Sequence, residues 1–100
     1  MNLKLDIISP VGTIFSGFVK EVTLPGSTAP FTILPMHAPI ISSLNQGVVS
    51  FLLDNNEKLD NIEVSGKENI PLSLNNGRGE VDIKGGFIEM NEDKVTVCIL

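Results

Sequence analysis

An all-β fold is predicted for this chain of 100 residues, and three observations carry it. Apolar residues recur at every second position in several short segments, the spacing of strands with one face on a core. Clusters of Gly, Pro, Asn and Asp separate those segments at roughly eight- to twelve-residue intervals. No window holds an apolar stripe at helical spacing for longer than a turn or two. Short strands spaced in this way point to a sandwich or barrel, built as one domain over residues 1–100.

Leu3, Leu5 and Ile7 alternate with Lys4 and Asp6 and predict the first strand. In Phe18–Leu24, Phe18, Val22 and Leu24 share one parity while Val19, Glu21 and Thr23 share the other, predicting a strand with the Phe18 side on the core. Pro25-Gly26 is expected at the centre of a type II turn, Pro fixing φ and Gly supplying a positive φ. Phe31–Leu34 resumes as a short strand. From Pro35 to Asn45 the alternation fails, and Pro35 and Pro39 remove two backbone donors, so an irregular, exposed segment is expected.

Gln46–Leu53 and Glu57–Val64 flank Asp54-Asn55-Asn56 and predict a hairpin. Ile70–Leu74 and Gly79–Lys84 bracket Asn75-Asn76-Gly77 and predict another, with Pro71 at an edge or strand start. Gly85-Gly86 breaks the pattern as a bulge or a corner between sheets. Phe87–Met90 follows, Asn91–Asp93 turns, and Lys94–Leu100 forms the last strand.

Hydrophobic residues make up 42% of the chain and charged residues 19%, with a mean hydropathy of +0.24. That is too apolar for disorder, and there is no run of about twenty apolar residues to span a membrane. Seven Lys and Arg against twelve Asp and Glu give a net charge of −5. That charge, and the lack of Trp and Tyr for base stacking, argue against nucleic acid. Cys98 is alone, so no intrachain disulfide forms, and a packed strand side chain is favoured over a reactive thiol. Met1–Ile8 carries Asp6 where a signal peptide needs continuous apolar residues, and it lacks the Arg and Ser of a transit peptide; a cytoplasmic location is expected.

Little in the chain suggests catalysis. His37 lies near Ser42 and Ser43, but there is no Gly-x-Ser-x-Gly elbow and no acid in the Pro-rich segment, which favours a loop or interface histidine over a hydrolase base. Asp54, Glu57, Asp60 and Glu63 read as solvated acids on a hairpin, not as metal ligands. One His and one Cys exclude a structural zinc site within a single chain. Gly77-Arg78-Gly79 and Gly85-Gly86 lack both the helix and the lysine of a phosphate loop. Met36, Ile40, Ile41 and Leu44 are open to two readings, a cap on the core or an exposed apolar patch.

Val22–Ile41 packs four prolines and the single histidine together, and its most specific part is Leu34-Pro35-Met36-His37-Ala38-Pro39. With Gly85–Val97, Ser9–Gly12 and Phe15–Gly17, it resembles the β-sandwich portion of the ε subunit of F-type ATP synthase, called δ in mitochondria. The resemblance implies a flattened sandwich of about ten mostly antiparallel strands. It further implies a non-catalytic central-stalk subunit without cofactor, clamped to the γ subunit and resting on the ring of c subunits. There it would couple ion-driven rotation to ATP synthesis, peripheral on the cytoplasmic face of a bacterial inner membrane.

By similarity, Met36, His37, Ala38, Pro39 and Ile40 face γ, and the loop of Gly26, Ser27, Thr28, Ala29, Pro30 and Phe31 points to the ring. Many relatives carry an acid and a glycine where this chain has Pro30 and Thr32, so the hydroxyls of Ser27 and Thr28 are the expected polar groups there. The chain is longer than the usual pattern in its middle, implying an inserted hairpin or loop within 54–80. Most bacterial relatives continue into an α-helical hairpin where this sequence stops at Leu100, so neither self-inhibition nor ATP binding is expected of it. The alternative function is a free-standing β-sandwich module for peptide or carbohydrate, which the all-β pattern allows but which lacks the Trp and Tyr platform.

Overall fold

The computed structural model describes residues 2–54, 63–64 and 72–100. Among them are ten strands and no helix: β1 (Leu3–Ser9), β2 (Gly12–Pro25), β3 (Pro30–Ile33), β4 (Ile40–Leu44), β5 (Gly47–Leu53), β6 (Glu63–Val64), β7 (Leu72–Asn75), β8 (Arg78–Ile83), β9 (Gly86–Asn91) and β10 (Lys94–Ile99). Hydrogen bonds join them in the order β4-β9-β10-β1-β2-β5-β8-β7, with β3 and β6 also on β2. The β1–β10 pair is parallel and the others are antiparallel. Extents of 34 × 32 × 20 Å fit two layers packed about 10 Å apart. The expected all-β sandwich of about ten strands is what forms.

Strand β2 is the spine. Its first half pairs with β1 on one edge and β6 on the other, and its second half pairs with β3 and β5. Val19 is matched by both Leu3 of β1 and Leu53 of β5, and Val22 by both Ile33 of β3 and Phe51 of β5. Hence β1 and β3 share one edge of β2, and β5 and β6 share the other.

The expectation that Phe18 faces the core is wrong: Phe18 is 47% exposed and Val19 is fully buried. Val19 pairs with Leu53 and Glu21 with Leu52, leaving Lys20 unmatched. This extra residue inverts the alternation, so Phe15, Gly17 and Val19 point inward before it and Val22 and Leu24 after it.

The Pro25-Gly26 turn also differs from the expectation. Pro25 still pairs with Pro30, and the Gly26 amide donates to the Leu24 carbonyl at 3.0 Å, a three-residue turn centred on Pro25. Gly26 has no positive φ; a Cβ there would sit 2.6 Å from the Ala29 oxygen and 2.8 Å from the Phe31 ring. Glycine is needed for close approach, not for handedness.

The hairpin expected between Gln46–Leu53 and Glu57–Val64 does not pair as such. Strand β5 lies between β2 and β8, and Glu63 and Val64 pair with Ser16 and Phe15 of β2. The Asp54 amide donates to the Phe18 carbonyl at 3.2 Å, so both segments follow one edge of β2 in the same direction. Residues 55–62 and 65–71 lie outside the described residues, and with them Glu57, Asp60, Pro71 and most of the expected insertion.

The Asn75–Gly77 expectation holds: Asn76 and Gly77 take φ of 52° and 80°, the two positive values of a type I′ turn between β7 and β8. Glu92 and Asp93, at 51° and 60°, turn β9 into β10 in the same manner. Gly85 and Gly86 both take φ of 151°, and a Cβ on Gly86 would collide with the Cys98 carbonyl oxygen, which is why the break before β9 is glycine. The core between the layers is apolar; among the described residues no polar or charged side chain is buried in it.

Candidate partner-binding surfaces

After β3 the chain leaves the ladder at Leu34. The His37 amide donates to the Leu34 carbonyl at 3.2 Å, Pro35 takes the second position, and Met36 takes φ of 68° at the third. This is a type II turn with methionine where glycine or asparagine is usual, at a cost of about 1–2 kcal/mol for a residue with a Cβ. The Met36 amide donates to Asp93 Oδ1 at 2.6 Å, across 57 residues of sequence. A carboxylate acceptor makes that bond stronger than one between neutral groups.

The turn displays Leu34, 55% exposed, and Met36, 73% exposed, on either side of Pro35. His37, Ala38 and Pro39 are exposed as well, while Ile40 is half-buried and pairs with Met90. His37 Nδ1 lies 2.6 Å from the Ala38 oxygen, and because a carbonyl only accepts, Nδ1 carries the proton. Ser42 Oγ donates to the Ser43 carbonyl at 3.1 Å, so both the serine and the histidine are engaged with backbone. The two readings of the apolar cluster divide by residue: Leu44 and Ile40 cap the core, while Met36 and Ile41 face solvent.

The second candidate surface, 26–31, is held from below by Asn45. Its amide donates to the Pro25 carbonyl at 2.8 Å and its Nδ2 to the Ser27 carbonyl at 3.1 Å. Ser27, Thr28, Ala29 and Pro30 are exposed, Gly26 bridges to Leu44, and Phe31 packs against the core. Thr32 bonds Thr23 side chain to side chain at 2.8 Å. Leu44 pairs with Gly86 and Ile40 with Met90, so the two surfaces lie toward opposite ends of β4, roughly 13 Å apart along the strand.

The outer face of β1 and β2 carries a polar cluster that sequence reasoning did not single out. Lys4 Nζ contacts Asp6 Oδ1 at 2.9 Å and Ser16 Oγ at 2.6 Å, and Ser16 Oγ donates to Asp6 Oδ1 at 2.6 Å. Burial of the Asp6 carboxyl raises its pKa, but the hydrogen bonds from Ser16 and Lys4 and the charges of Lys4 and Lys94 prevail and hold it below the ordinary value. Alternation placed these residues on one face; their juxtaposition needs the β1–β2 register, Asp6 opposite Ser16. Among the described residues no group of three or more His, Cys, Asp and Glu could hold a metal. Among the described residues no helix is long and apolar enough to cross a membrane.

Comparison with known proteins bears on what such a surface serves. The family model for the β-sandwich domain of the ATP synthase delta/epsilon chain matches residues 2–66. The ATP synthase epsilon chain of Sulfurovum sp. (strain NBC37-1) is 38% identical over 98 residues, 98% of this chain and 60% of that protein. That of Aliarcobacter butzleri is 39% identical over 83 residues, 83% of this chain and 57% of the relative, and that of Wolinella succinogenes is 55% identical over 49 residues, 49% and 37%. The chain thus spans about three fifths or less of the length of these relatives.

Two solved structures share the fold at low identity. The central stalk and c-ring structure of Tetrahymena thermophila mitochondrial ATP synthase superposes with a TM-score of 0.62 at 13% identity, over 100% of this chain and 64% of the matched one. A chain of the Euglena gracilis mitochondrial enzyme gives 0.72 at 14%, over 98% and 50%. With the family's pattern running from the first strand to β6, the chain belongs to the delta/epsilon family of ATP synthase and is its β-sandwich domain.

Proposed function

We propose that this protein is a non-catalytic rotor subunit of an F-type ATP synthase, joining the γ subunit to the c-ring so that ion-driven ring rotation reaches the catalytic head. The observation that carries the reading is the family match over residues 2–66, a span that contains both exposed segments, 26–31 and 34–40. On this reading Met36, His37, Ala38, Pro39 and Ile40 contact γ, and Gly26, Ser27, Thr28, Ala29, Pro30 and Phe31 approach the ring. The protein then sits peripherally at the cytoplasmic face of the membrane, touching it only through the ring.

The physics required is that of a rigid surface and not of a reactive centre. A durable joint needs on the order of 1,000 Å² or more of complementary burial. An apolar core tied together by β2, which pairs with four other strands, gives the stiffness to hold such surfaces in place. Affinity capture of the protein with its γ subunit, followed by proton-driven ATP synthesis in vesicles lacking this chain, tests the proposal. Recovery of γ and loss of synthesis are expected; absence of γ from the captured material, with synthesis intact in the deletion, would end it.

A further inference from the structure

We infer that Asp93 is a positioning residue for the γ-facing surface: its carboxylate holds the 34–37 turn in the conformation that presents Leu34 and Met36 to the partner. The inference rests on the proposed γ contact. Met36 keeps a positive φ of 68° without being glycine and without burial to enforce it, since its side chain is 73% exposed. The bond from His37 N to Leu34 O at 3.2 Å closes the turn from within, and the one that reaches it from the sheet is Met36 N to Asp93 Oδ1 at 2.6 Å. Asp93 is itself fixed, with φ of 60° in the β9–β10 turn and its carbonyl accepting from the Lys4 amide at 2.9 Å. The acceptor therefore stands on the sheet, while the turn it holds is a loop. A strained, solvent-facing residue kept in place by a remote carboxylate is the arrangement of a pre-organised contact, in which the ordering cost of binding is met before the partner arrives.

The variants must spare the turn that carries Asp93. Alanine would strain it at a positive φ, whereas Gly and Asn both tolerate that conformation. Asp93→Gly removes the acceptor and Asp93→Asn keeps a carbonyl oxygen. In the whole protein, Asp93→Gly is expected to weaken binding to purified γ by about fivefold, through faster dissociation. Asp93→Asn should bind within about twofold of the parent. In a Met36→Gly background, where the turn needs no restraint, Asp93→Gly should have no further effect. NMR of the free protein gives an independent reading: the Met36 amide proton should lie downfield and move upfield in Asp93→Gly. Equal γ affinities for parent and Asp93→Gly overturn the inference, and so does an unmoved Met36 amide. A parent protein that binds no γ overturns the functional reading instead, and the amide shift then still decides whether Asp93 holds the turn.

Discussion

Phe15 and Phe51 meet in the core with ring centroids 4.3 Å apart and planes tilted by 40°. Phe15 comes from the half of β2 paired with β1, and Phe51 from β5, which pairs with the other half. Both are fully buried, so this contact ties together the two environments that β2 connects. Phe51→Ala should lower unfolding free energy by about 3–5 kcal/mol, read as a shift of the urea midpoint. Gly79 lies opposite Phe51 in the β5–β8 ladder, and a Cβ there would collide with the ring. Gly79→Ala should cost about 1–3 kcal/mol by overpacking; a neutral result would mean that the ring has room to move.

Gly86→Ala combines two penalties at one site, a φ of 151° and a clash with the Cys98 carbonyl. Neither the β9 nor the β10 backbone can retreat without breaking the ladder they share. A loss of about 2 kcal/mol or more is expected, visible as a lower thermal midpoint. An unchanged midpoint would contradict the glycine requirement described at the break before β9.

The Lys4–Asp6–Ser16 cluster gives the protein an acid-sensitive increment of stability. The folded-state pKa of Asp6 lies below its ordinary value of 3.8, so the unfolded chain takes up the proton first as pH falls. The increment is complete above 3.8 and is lost between 3.8 and the lower folded value. The side chains of Lys4 and Asp6 keep 35% and 20% of their accessibility, so solvent screening holds the increment below about 1 kcal/mol. Asp6→Asn should flatten the acid limb of stability against pH in that window; superimposable limbs would remove Asp6 as its source.

His37→Ala separates contact from fold. The ring is exposed and its Nδ1 bonds only to the neighbouring Ala38 carbonyl, so stability should change by no more than about 0.5 kcal/mol. Affinity for γ should fall by about 1 kcal/mol, roughly fivefold. Replacing Ser27 and Thr28 by Ala and Val, at the other end of β4, should leave γ binding intact and lower the coupling of ring rotation to synthesis. Equal effects of both changes on γ binding would mean that the two surfaces are not separate.

Local chemistry was readable and distant pairing was not. Leu3, Leu5 and Ile7 proclaim β1 because a half-buried strand needs nothing beyond a two-residue period, and Asn76-Gly77 marks its turn because few residues tolerate two positive φ values in a row. The parity of Phe18 is not legible because the unmatched Lys20 reflects the partner strand β5, which a single segment does not display. The cause of Gly26 is hidden in the sequence because residue type suggests handedness, whereas the approach of Phe31 exists only in three dimensions. The irregular, exposed segment expected from Pro35 to Asn45 holds only as far as Pro39, because Ile40–Leu44 pairs with β9 as β4 and buries Leu44. The role of Asp93 is not legible either, because 57 residues separate it from Met36.

The parallel pairing of β10 with β1 has a consequence during synthesis. Lys4 faces Lys94 and Ile8 faces Cys98, so the flank of β1 stays open until residues 94–98 have left the ribosome. At about 5–20 residues per second, the emerging chain carries that open β1 edge for several seconds. Through that interval an uncovered strand edge bearing Leu3, Leu5 and Ile7 invites pairing with other nascent chains, and a chaperone that shields it would raise the yield of soluble protein.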